Sequence, residues 1–414
     1  MSSVPTIATP TTSRSGVPTL FWVLLAAAGT FALTMGARQS MGLFVGTLNT
    51  TTGLGIASIS LAFAFGQLWW GLTQPLAGMV ADRIGAGRVL VLGILLVGIG
   101  TALVPYMHTT LGLILAIGVL SAGGAGMAGP SVLMAATTRL VPIDKRGIAT
   151  GIVNAGGSFG QFVFAPIAGA ITQAAGWVAA LQSLAALSLL ALPAAWVLRG
   201  SSNASAAAGT VREGTGAIVK RALATPSYRF LCAGFFVCGF HVAFIATHLP
   251  GVVVACQLPA ELGAWSLSVI GLFNIVGSFS MGWAVGRWRM KSLLSLVYAA
   301  RGLAVLVFML TPKTPAVMLV FAAVIGLTYL STVPPTAGLV AKLFGPAHMG
   351  TLFGIVMVAH QLGGFLGAWL GGKAFEWTGS YDWMWYADIV LAVGAALVHL
   401  PIREARLPAR AVAA

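Results

Sequence analysis

Few side chains inside the apolar segments of this sequence can carry charge or exchange a proton, and Arg38 is the first of them along the chain. Its guanidinium presents a planar fork of donors, a shape that fits a carboxylate or another planar anion. A charge in an apolar helix is costly unless it faces water or a partner. Arg38 is therefore predicted to bind an anionic ligand, and the alternative is a side chain that merely reaches toward the nearest aqueous surface.

Four polar side chains in other apolar segments are predicted to join Arg38 in one ligand site. His360 and Gln361 are adjacent, and a histidine at such a place can hydrogen-bond a ligand and titrate near neutral pH. Tyr329 lies just before two prolines, which kink a helix and free backbone carbonyls where a cavity is lined. Asn274 offers an amide. Each of these residues also has a structural interpretation, as a polar group that hydrogen-bonds a neighbouring helix.

Asp388 is the only acid within the apolar segments, and the sequence leaves its role open. In one interpretation it pairs with Arg301, in a second it takes up and releases a proton, and in a third it is exposed at a surface. His241 is a second candidate for proton coupling, because an imidazole can change charge near neutral pH. Cys, His and acidic residues nowhere have the spacing of metal ligands, so neither a metal nor another cofactor is predicted.

The segments that hold these residues make up most of the chain. Of the 414 residues, 58% are hydrophobic and 7% are charged, whereas a soluble domain carries roughly 25% charged residues. This composition predicts an all-α membrane protein whose helices contact the lipid bilayer. The net charge of +14 would suggest nucleic acid binding in a soluble protein. Here the basic residues lie in short loops between apolar segments, so nucleic acid is not an expected partner.

Twelve apolar segments are long enough to span a bilayer. They are predicted near residues 19–45, 57–81, 89–106, 111–137, 148–172, 177–198, 228–254, 263–286, 292–311, 316–341, 349–373 and 383–401. A Ser-, Ala- and Gly-rich connection, with a short helix predicted at 217–223, divides them into two groups of six. The predicted organisation is a disordered cytoplasmic tail at 1–18, a six-helix half at 19–198, a cytoplasmic linker at 199–227, a second six-helix half at 228–401, and a cytoplasmic tail at 402–414.

The loop charges orient these segments in the membrane. With the N-terminus inside, all of the 22 basic residues lie in cytoplasmic loops and tails, except Arg38, Arg301, Lys313 and Lys373. Positively charged loops stay on the cytoplasmic side of a membrane. The sequence therefore predicts a multi-pass protein of the cell inner membrane with both termini in the cytoplasm.

The two predicted halves repeat each other. Residues 78–83 align with 282–287, an offset of 282 − 78 = 204, and Gly151 aligns with Gly354, an offset of 354 − 151 = 203. Two separate matches at nearly one offset indicate a duplication. Repeated six-helix halves predict a substrate site near the middle of the membrane, between the halves.

The loop at 78–88 resembles the signature loop of the major facilitator superfamily. The resemblance covers the whole chain, and it implies a monomeric secondary transporter of a small molecule rather than an enzyme, with alternating access to the two sides of the membrane. It also implies that Asp82, Arg83 and Arg88 form a charged gate. The second copy of the loop has Gly286 in place of Asp82, so an acid-dependent gate is expected in the N-terminal half alone.

Residues 36–44 are similar to the monocarboxylate transporter branch of that superfamily, in particular to its bacterial members. This resemblance implies a small organic anion as substrate, coupled to protons by symport. The branch commonly has an Asp and, four residues later, an Arg in the eighth span, but this chain has Asn274 and Ser278. An alternative substrate is therefore an amphipathic aromatic compound, either a vitamin such as a riboflavin-like molecule or an expelled drug. Tyr329, Trp69 and Trp70 favour that alternative. An intramembrane enzyme is a weaker alternative, because no paired acids or nucleophile–base set is apparent.

Overall fold

The computed structural model describes residues 20–142, 145–199, 215–345 and 349–405, and these residues form helices joined by short connections. The predicted tail at 1–18 lies outside the described residues. So do residues 200–214 of the predicted linker and 406–414 of the predicted final tail.

Ten helical segments within the described residues are long and apolar enough to cross a membrane. One of them, Ile148–Val197, is really two helices. It divides at Gly176, where φ is 86°, a backbone angle that favours glycine. The last helix, Asp382–His399, has 18 residues and completes the bundle. The twelve helices predicted from the sequence are thus confirmed within the described residues.

The first six helices form the N-terminal half. They are α1 (Leu20–Thr52, with a 3₁₀ stretch at Ser40–Phe44), α2 (Ile56–Ile84), α3 (Ala86–Tyr106), α4 (Thr110–Leu140), α5 (148–175) and α6 (177–197). The next six form the C-terminal half. They are α7 (Pro226–Ala255), α8 (Glu261–Val285), α9 (Met290–Leu310), α10 (Pro315–Phe344), α11 (Met349–Thr378) and α12 (Asp382–His399). A short helix, Thr215–Ala224, precedes α7 and buries Ile218 and Ala222 in the core of the C-terminal half.

The two ends of the bundle differ in charge. The end at which α1 begins and α12 ends carries basic residues, among them Arg83, Arg88, Arg139, Arg287 and Lys342. We call it the basic end. The opposite end carries the acids Glu261, Glu376 and Asp382.

Both halves contain an interrupted helix at the same place in the repeat. The helical backbone of α4 stops at Ala128–Gly129, and that of α10 stops at Tyr329–Thr332, so the last interrupted residues differ by 332 − 129 = 203 positions. Pro130 and Pro334 follow the interruptions. Proline has no N–H group to continue a helix, which accounts for both breaks. α4 also contains a π-helical stretch at Ile114–Ala122, a geometry that is frequent at functional sites.

The two halves pack tightly along the opposite end. Gly42 of α1 lies so close to the carbonyl group of Ala246 in α7 that a Cβ would overlap it. Gly372 of α11 is equally close to Ser60 of α2. Glycine allows such approach because it has no side chain. Similar contacts across the halves join Gly169 with Ala264 and Gly271 with the backbone of Ser158.

Toward the basic end the two halves separate. A Cβ at Gly151 of α5 or at Gly354 of α11 would meet open space, although these helices pack on the other half at Gly169 and Gly372. Each of those contacts lies 169 − 151 = 18 or 372 − 354 = 18 residues further along, which is roughly 27 Å of helix. The bundle is therefore closed at the opposite end and open at the basic end.

Gly42→Ala is expected to weaken the closed end, because the added methyl group meets the Ala246 carbonyl. Overpacking of this kind costs about 1–3 kcal/mol, which corresponds to a shift of about 5- to 150-fold between the closed and open arrangements. Spin labels at the exposed residues Thr51 and Trp377 report the distance between the halves at this end.

The matched control is Gly46→Ala, because a Cβ at Gly46, one turn along the same helix, has no neighbour within 4 Å. If both variants gave the same distance distribution as the unsubstituted protein, the contact between Gly42 and Ala246 would not be what keeps this end closed.

Candidate functional site

Arg38 is a cation at the contact between the halves. Its Nη2 donates a hydrogen bond of 2.6 Å to Oε1 of Gln67 in α2, and its guanidinium lies 5.1 Å from the ring centre of Trp70. Among the described residues, no carboxylate lies within 4.0 Å of it in an ion pair. The side chain therefore turns into the bundle instead of reaching toward the membrane surface, and its positive charge has only a neutral amide and an aromatic face as neighbours.

A small cavity lies beside Arg38. Its wall comes from both halves, with Phe63 and Gln67 from α2, Ser121 from the π-helical stretch of α4, and Thr247 from α7. The wall is mostly apolar apart from the guanidinium, the amide and the hydroxyls. The guanidinium is the charged group of this wall, so a ligand that enters here meets one cation and otherwise uncharged side chains.

Gln361 and Trp70 add unsatisfied polar atoms near this contact. Gln361 of α11 reaches across to α2, where a Cβ on Gly71 would overlap its side chain. It is 2% exposed, and neither its Oε1 nor its Nε2 has a hydrogen-bond partner. The indole Nε1 of Trp70 also has none. Buried polar atoms usually have a hydrogen-bond partner. Because these atoms have none in the described structure, they are candidates for hydrogen bonds to a ligand between the halves.

His360 faces the interior of the C-terminal half rather than the cavity beside Arg38. Its ring packs on that of Phe235, with 4.8 Å between the ring centres, and it is 8% exposed. Its Nδ1 has no hydrogen-bond partner in the described structure. The neighbouring Gln361 is thus the better placed of the two for a ligand between the halves.

Arg301 lies at the centre of a buried polar network in the C-terminal half. Its Nη2 donates to the carbonyl of Tyr329 at 3.0 Å and to the carbonyl of Thr328, and both carbonyls lie at the interruption of α10. Its Nη1 faces Nδ1 of His241 at 3.4 Å. These contacts hold α7, α9 and α10 together around carbonyls that have lost their helical partners.

His241 lies between Arg301 and Asp388. A guanidinium only donates, so Nδ1 of His241 accepts and the proton of the neutral imidazole is on Nε2. Nε2 faces Oδ1 of Asp388 at 3.4 Å, too poorly aligned for a hydrogen bond, and neither atom has another partner. Arg301 and Asp388 are the two buried residues of the described chain with a guanidinium or a carboxyl side chain. They lie on either side of the imidazole, and all three side chains line one small cavity.

The structure thus brings together residues that the sequence left apart. Asp388 is 1% exposed, which excludes a surface position in this conformation, and it shares one cavity with Arg301. Tyr329 lines that same cavity, not the one beside Arg38, and its hydroxyl donates to the carbonyl of Val242 at 3.0 Å. The role of Tyr329 in binding a ligand of Arg38 therefore stays a prediction.

Both polar atoms of the Asn274 side chain have protein partners. Its Nδ2 donates to Oγ of Ser158 at 2.8 Å, and its Oδ1 accepts from the backbone N–H of Leu330 at 3.0 Å. Ser158 belongs to α5 of the other half. The predicted ligand-binding residue thus acts here as a bridge between the halves. Its partner Ser158 gives no signal in the sequence, since a single serine in an apolar helix is unremarkable in its pattern.

Of the three residues predicted to form the gate, Asp82 is the one that forms an ion pair among the described residues. Asp82 pairs with Arg139 at the end of α4, whereas Arg83 and Arg88 are exposed and form no ion pair among the described residues. In the C-terminal half, Glu404 pairs with Lys342 at 2.9 Å and accepts from the backbone N–H of Lys291 at 2.8 Å.

The C-terminal half thus also has an acid–base pair at the basic end, and the gating role expected of Asp82 stays a prediction. Lys342 is the repeat partner of Arg139, at an offset of 342 − 139 = 203, and its acid comes from the segment after α12 instead of the loop at Gly286. The repeat spacing in the sequence relates Lys342 to Arg139. It does not reveal that Glu404 is the partner of Lys342, because Glu404 has no counterpart at that spacing. Among the described residues, no group of three or more His, Cys, Asp or Glu side chains could hold a metal ion.

Comparison with known proteins extends this description. The sequence profile of the Major Facilitator Superfamily matches residues 20–368. An uncharacterized MFS-type transporter of Bacillus subtilis is 24% identical over 399 residues, which are 92% of this chain and 95% of that protein. Monocarboxylate transporter 13 of Rattus norvegicus is 25% identical over 390 residues, which are 92% of this chain and 88% of that protein.

The fold also has solved counterparts. A bacterial homologue of the human lysosomal transporter Spinster, in an inward-facing and unoccupied conformation, superposes with a TM-score of 0.75 at 16% identity. The superposition covers 93% of this chain and 97% of that chain. The arrangement of twelve helices in two halves is thus one already seen in transporters.

Asp388→Asn is expected to destabilise the protein, because it leaves the buried charge of Arg301 unbalanced. Breaking a buried ion pair from one side costs about 3–5 kcal/mol. Removing both charges, in Arg301→Gln with Asp388→Asn, is expected to recover part of that loss. The melting temperature in detergent micelles measures these effects.

Glu376→Gln serves as the comparison, because Glu376 pairs with Lys373 at 3.3 Å on the exposed surface. A surface pair contributes about 0–1 kcal/mol, so this variant should melt close to the unsubstituted protein. Equal melting temperatures for Asp388→Asn and Glu376→Gln would show that the buried network is not a balanced pair.

Proposed function

The chain belongs to the Major Facilitator Superfamily, and we propose that it transports a small organic anion of the monocarboxylate type across the cell inner membrane. Its relatives are transporters rather than enzymes, and one of them is a monocarboxylate transporter. The transported molecule is thus a small solute, and the residues that recognise it lie between the two halves.

The observation that carries the choice of an anion is the unbalanced charge of Arg38. Its guanidinium lies at the small cavity between α1, α2, α4 and α7, with the Gln67 amide as its hydrogen-bond partner. An arginine in a membrane-spanning helix without an acidic partner is costly. A carboxylate would balance that charge and accept two parallel hydrogen bonds from it. Gln361 and Trp70 supply further donors from the same contact.

Alternating access is the proposed mechanism, and the arrangement of the halves supports it. The basic end is the cytoplasmic one by the positive-inside rule, so the open basic end corresponds to an inward-facing arrangement, with both termini in the cytoplasm. Closing that end and opening the other would expose Arg38 to the outer side. The ion pairs Asp82–Arg139 and Glu404–Lys342 lie at the end that closes, where Asp82 with Arg83 and Arg88 forms the proposed gate.

Protons are the proposed coupling ion. Asp388 and His241 face each other inside the C-terminal half, away from the anion cavity, and neither facing atom has another partner. A proton added to this pair leaves Arg301 with an unbalanced charge, so its uptake changes the electrostatics at the interruption of α10. One proton moving with one carboxylate also keeps the transported charge at zero.

Uptake into liposomes tests the anion assignment. Radiolabelled lactate, formate and benzoate are supplied outside, with an acidic exterior, and Arg38→Gln is expected to reduce uptake about 10- to 100-fold. A hydrogen bond to a charged group contributes about 1.5–3 kcal/mol, which corresponds to that range. Arg38→Lys keeps the charge without the fork and should show an intermediate loss.

Lys373→Gln is the control, because Lys373 is a cation of the opposite end that pairs with Glu376 and does not line the cavity. Riboflavin is supplied in parallel as the aromatic alternative. Carboxylate uptake that survives Arg38→Gln would refute the proposed anion site. Riboflavin uptake without carboxylate uptake would replace the anion by an amphipathic aromatic substrate.

A further inference from the structure

A continuous set of polar contacts leads from the buried charges of the C-terminal half to the other half of the protein. It starts at Asp388 and His241, passes through Arg301, and reaches the interrupted backbone of α10. From there it continues through Asn274 to Ser158. Neither Arg301 nor Asn274 lines the cavity beside Arg38, yet both are hydrogen-bonded to the same interruption of α10.

The first part of this set fixes one side of the interruption. Arg301 donates to the carbonyls of Thr328 and Tyr329, the residues at which the helical backbone of α10 stops. These donations take the place of helical hydrogen bonds that the following residues cannot supply. Arg301 also faces His241, so the position of its guanidinium depends on the charge of the His241–Asp388 pair.

The second part fixes the other side of the interruption to the N-terminal half. The N–H of Leu330, one residue after Tyr329, donates to Asn274 of α8, and Asn274 donates to Ser158 of α5. Gly277, one turn along α8, lies against the carbonyl of Leu327, so α8 and the interruption touch without intervening side chains. A shift of this backbone by about an ångström would therefore disturb the Asn274–Ser158 contact.

We propose that Arg301 and Asn274 are positioning residues that connect the His241–Asp388 pair to the contact between the halves. The connection rests on the proposed proton coupling. When Asp388 carries its negative charge, Arg301 is balanced and holds the interruption of α10 in the form that keeps Asn274 on Ser158. When a proton neutralises the pair, the guanidinium loses its counter-charge, the interruption relaxes, and the contact between α5 and α8 is released.

The other titratable groups around this network come from four helices. Tyr298 of α9 lies 5.6 Å from the Arg301 guanidinium, measured to its ring centre, and Cys238 of α7 lies 3.9 Å from Nη1. Tyr329 of α10 lines the same cavity, and His360 of α11 lies next to Cys238. Asp388 is the acid that faces Arg301 in this set. The proton-dependent balance of the guanidinium therefore depends on Asp388 and His241.

Two serine variants separate this connection from ordinary packing. Ser158→Ala removes the bond to Asn274. Ser268→Ala removes another bond between the same two helices, since Oγ of Ser268 donates to the carbonyl of Phe162 at 2.7 Å, but Ser268 has no contact with the interruption of α10. Both substitutions delete one hydroxyl at the α5–α8 contact, so both should fold. Asn274→Ala provides a second variant on the connected side.

The measurement uses pH alone as the probe, without substrate. Spin labels are placed at Ile148 and Trp283, exposed residues of α5 and α8 near the basic end, in the full chain reconstituted in lipid nanodiscs. Cys232 and Cys256 are replaced by Ser, whereas Cys238 stays because it is fully buried. The ratio of short to long label distances is recorded between acidic and alkaline pH.

We expect this ratio to change with pH in the unsubstituted protein and by the same factor in Ser268→Ala. In Ser158→Ala and Asn274→Ala the pH-induced change should shrink at least about fivefold, the lower limit of ordinary coupling between sites. Equal pH responses in Ser158→Ala and Ser268→Ala would overturn the connection and leave the proposed transport intact. Spin-label distances that do not change with pH in the unsubstituted protein would overturn both the connection and the proton coupling.

Discussion

The cost of charge inside a membrane-spanning bundle is the constraint on which the rest of this structure depends. The C-terminal half meets it internally, because Arg301 and Asp388 are buried on either side of a neutral His241. The N-terminal half leaves Arg38 without an acid and places it at the cavity between the halves. One half therefore carries a balanced pair, and the other carries a charge that an external anion can balance.

Close packing determines where that anion can enter. Glycines such as Gly42 and Gly372 bring the two halves into direct contact at one end of the bundle. Gly151 and Gly354, which correspond to each other in the repeat, face open space toward the basic end. Helices that meet through glycine slide and separate without side chains having to interdigitate. The duplicated halves are thus closed against each other at one end and open at the basic end, and the cavity at Arg38 lies between the two ends.

Much of the fold was predictable from the sequence because it depends on local properties. Segment length and loop charge specify twelve helices, and the spacing of Gly151 and Gly354 reveals the duplication. Arg38 was identifiable as a candidate site residue for the same reason, since a charge in an apolar segment is visible without a structure. The expected gate pairing was not, because Arg139 and Glu404 meet their partners across distant parts of the chain. The partners of Asn274 were not predictable either. Its amide was predicted to bind a ligand, and in the structure it is hydrogen-bonded to Ser158 and Leu330.

The net charge moved per transported molecule tests the central claim most directly. The account assigns one anion to Arg38 and one proton to the His241–Asp388 pair, so lactate uptake into liposomes should follow the pH gradient and produce no net current on a solid-supported membrane. A membrane potential alone should drive no accumulation. A sustained current during uptake, or accumulation driven by potential in the absence of a pH gradient, would contradict the assignment of one proton to one carboxylate.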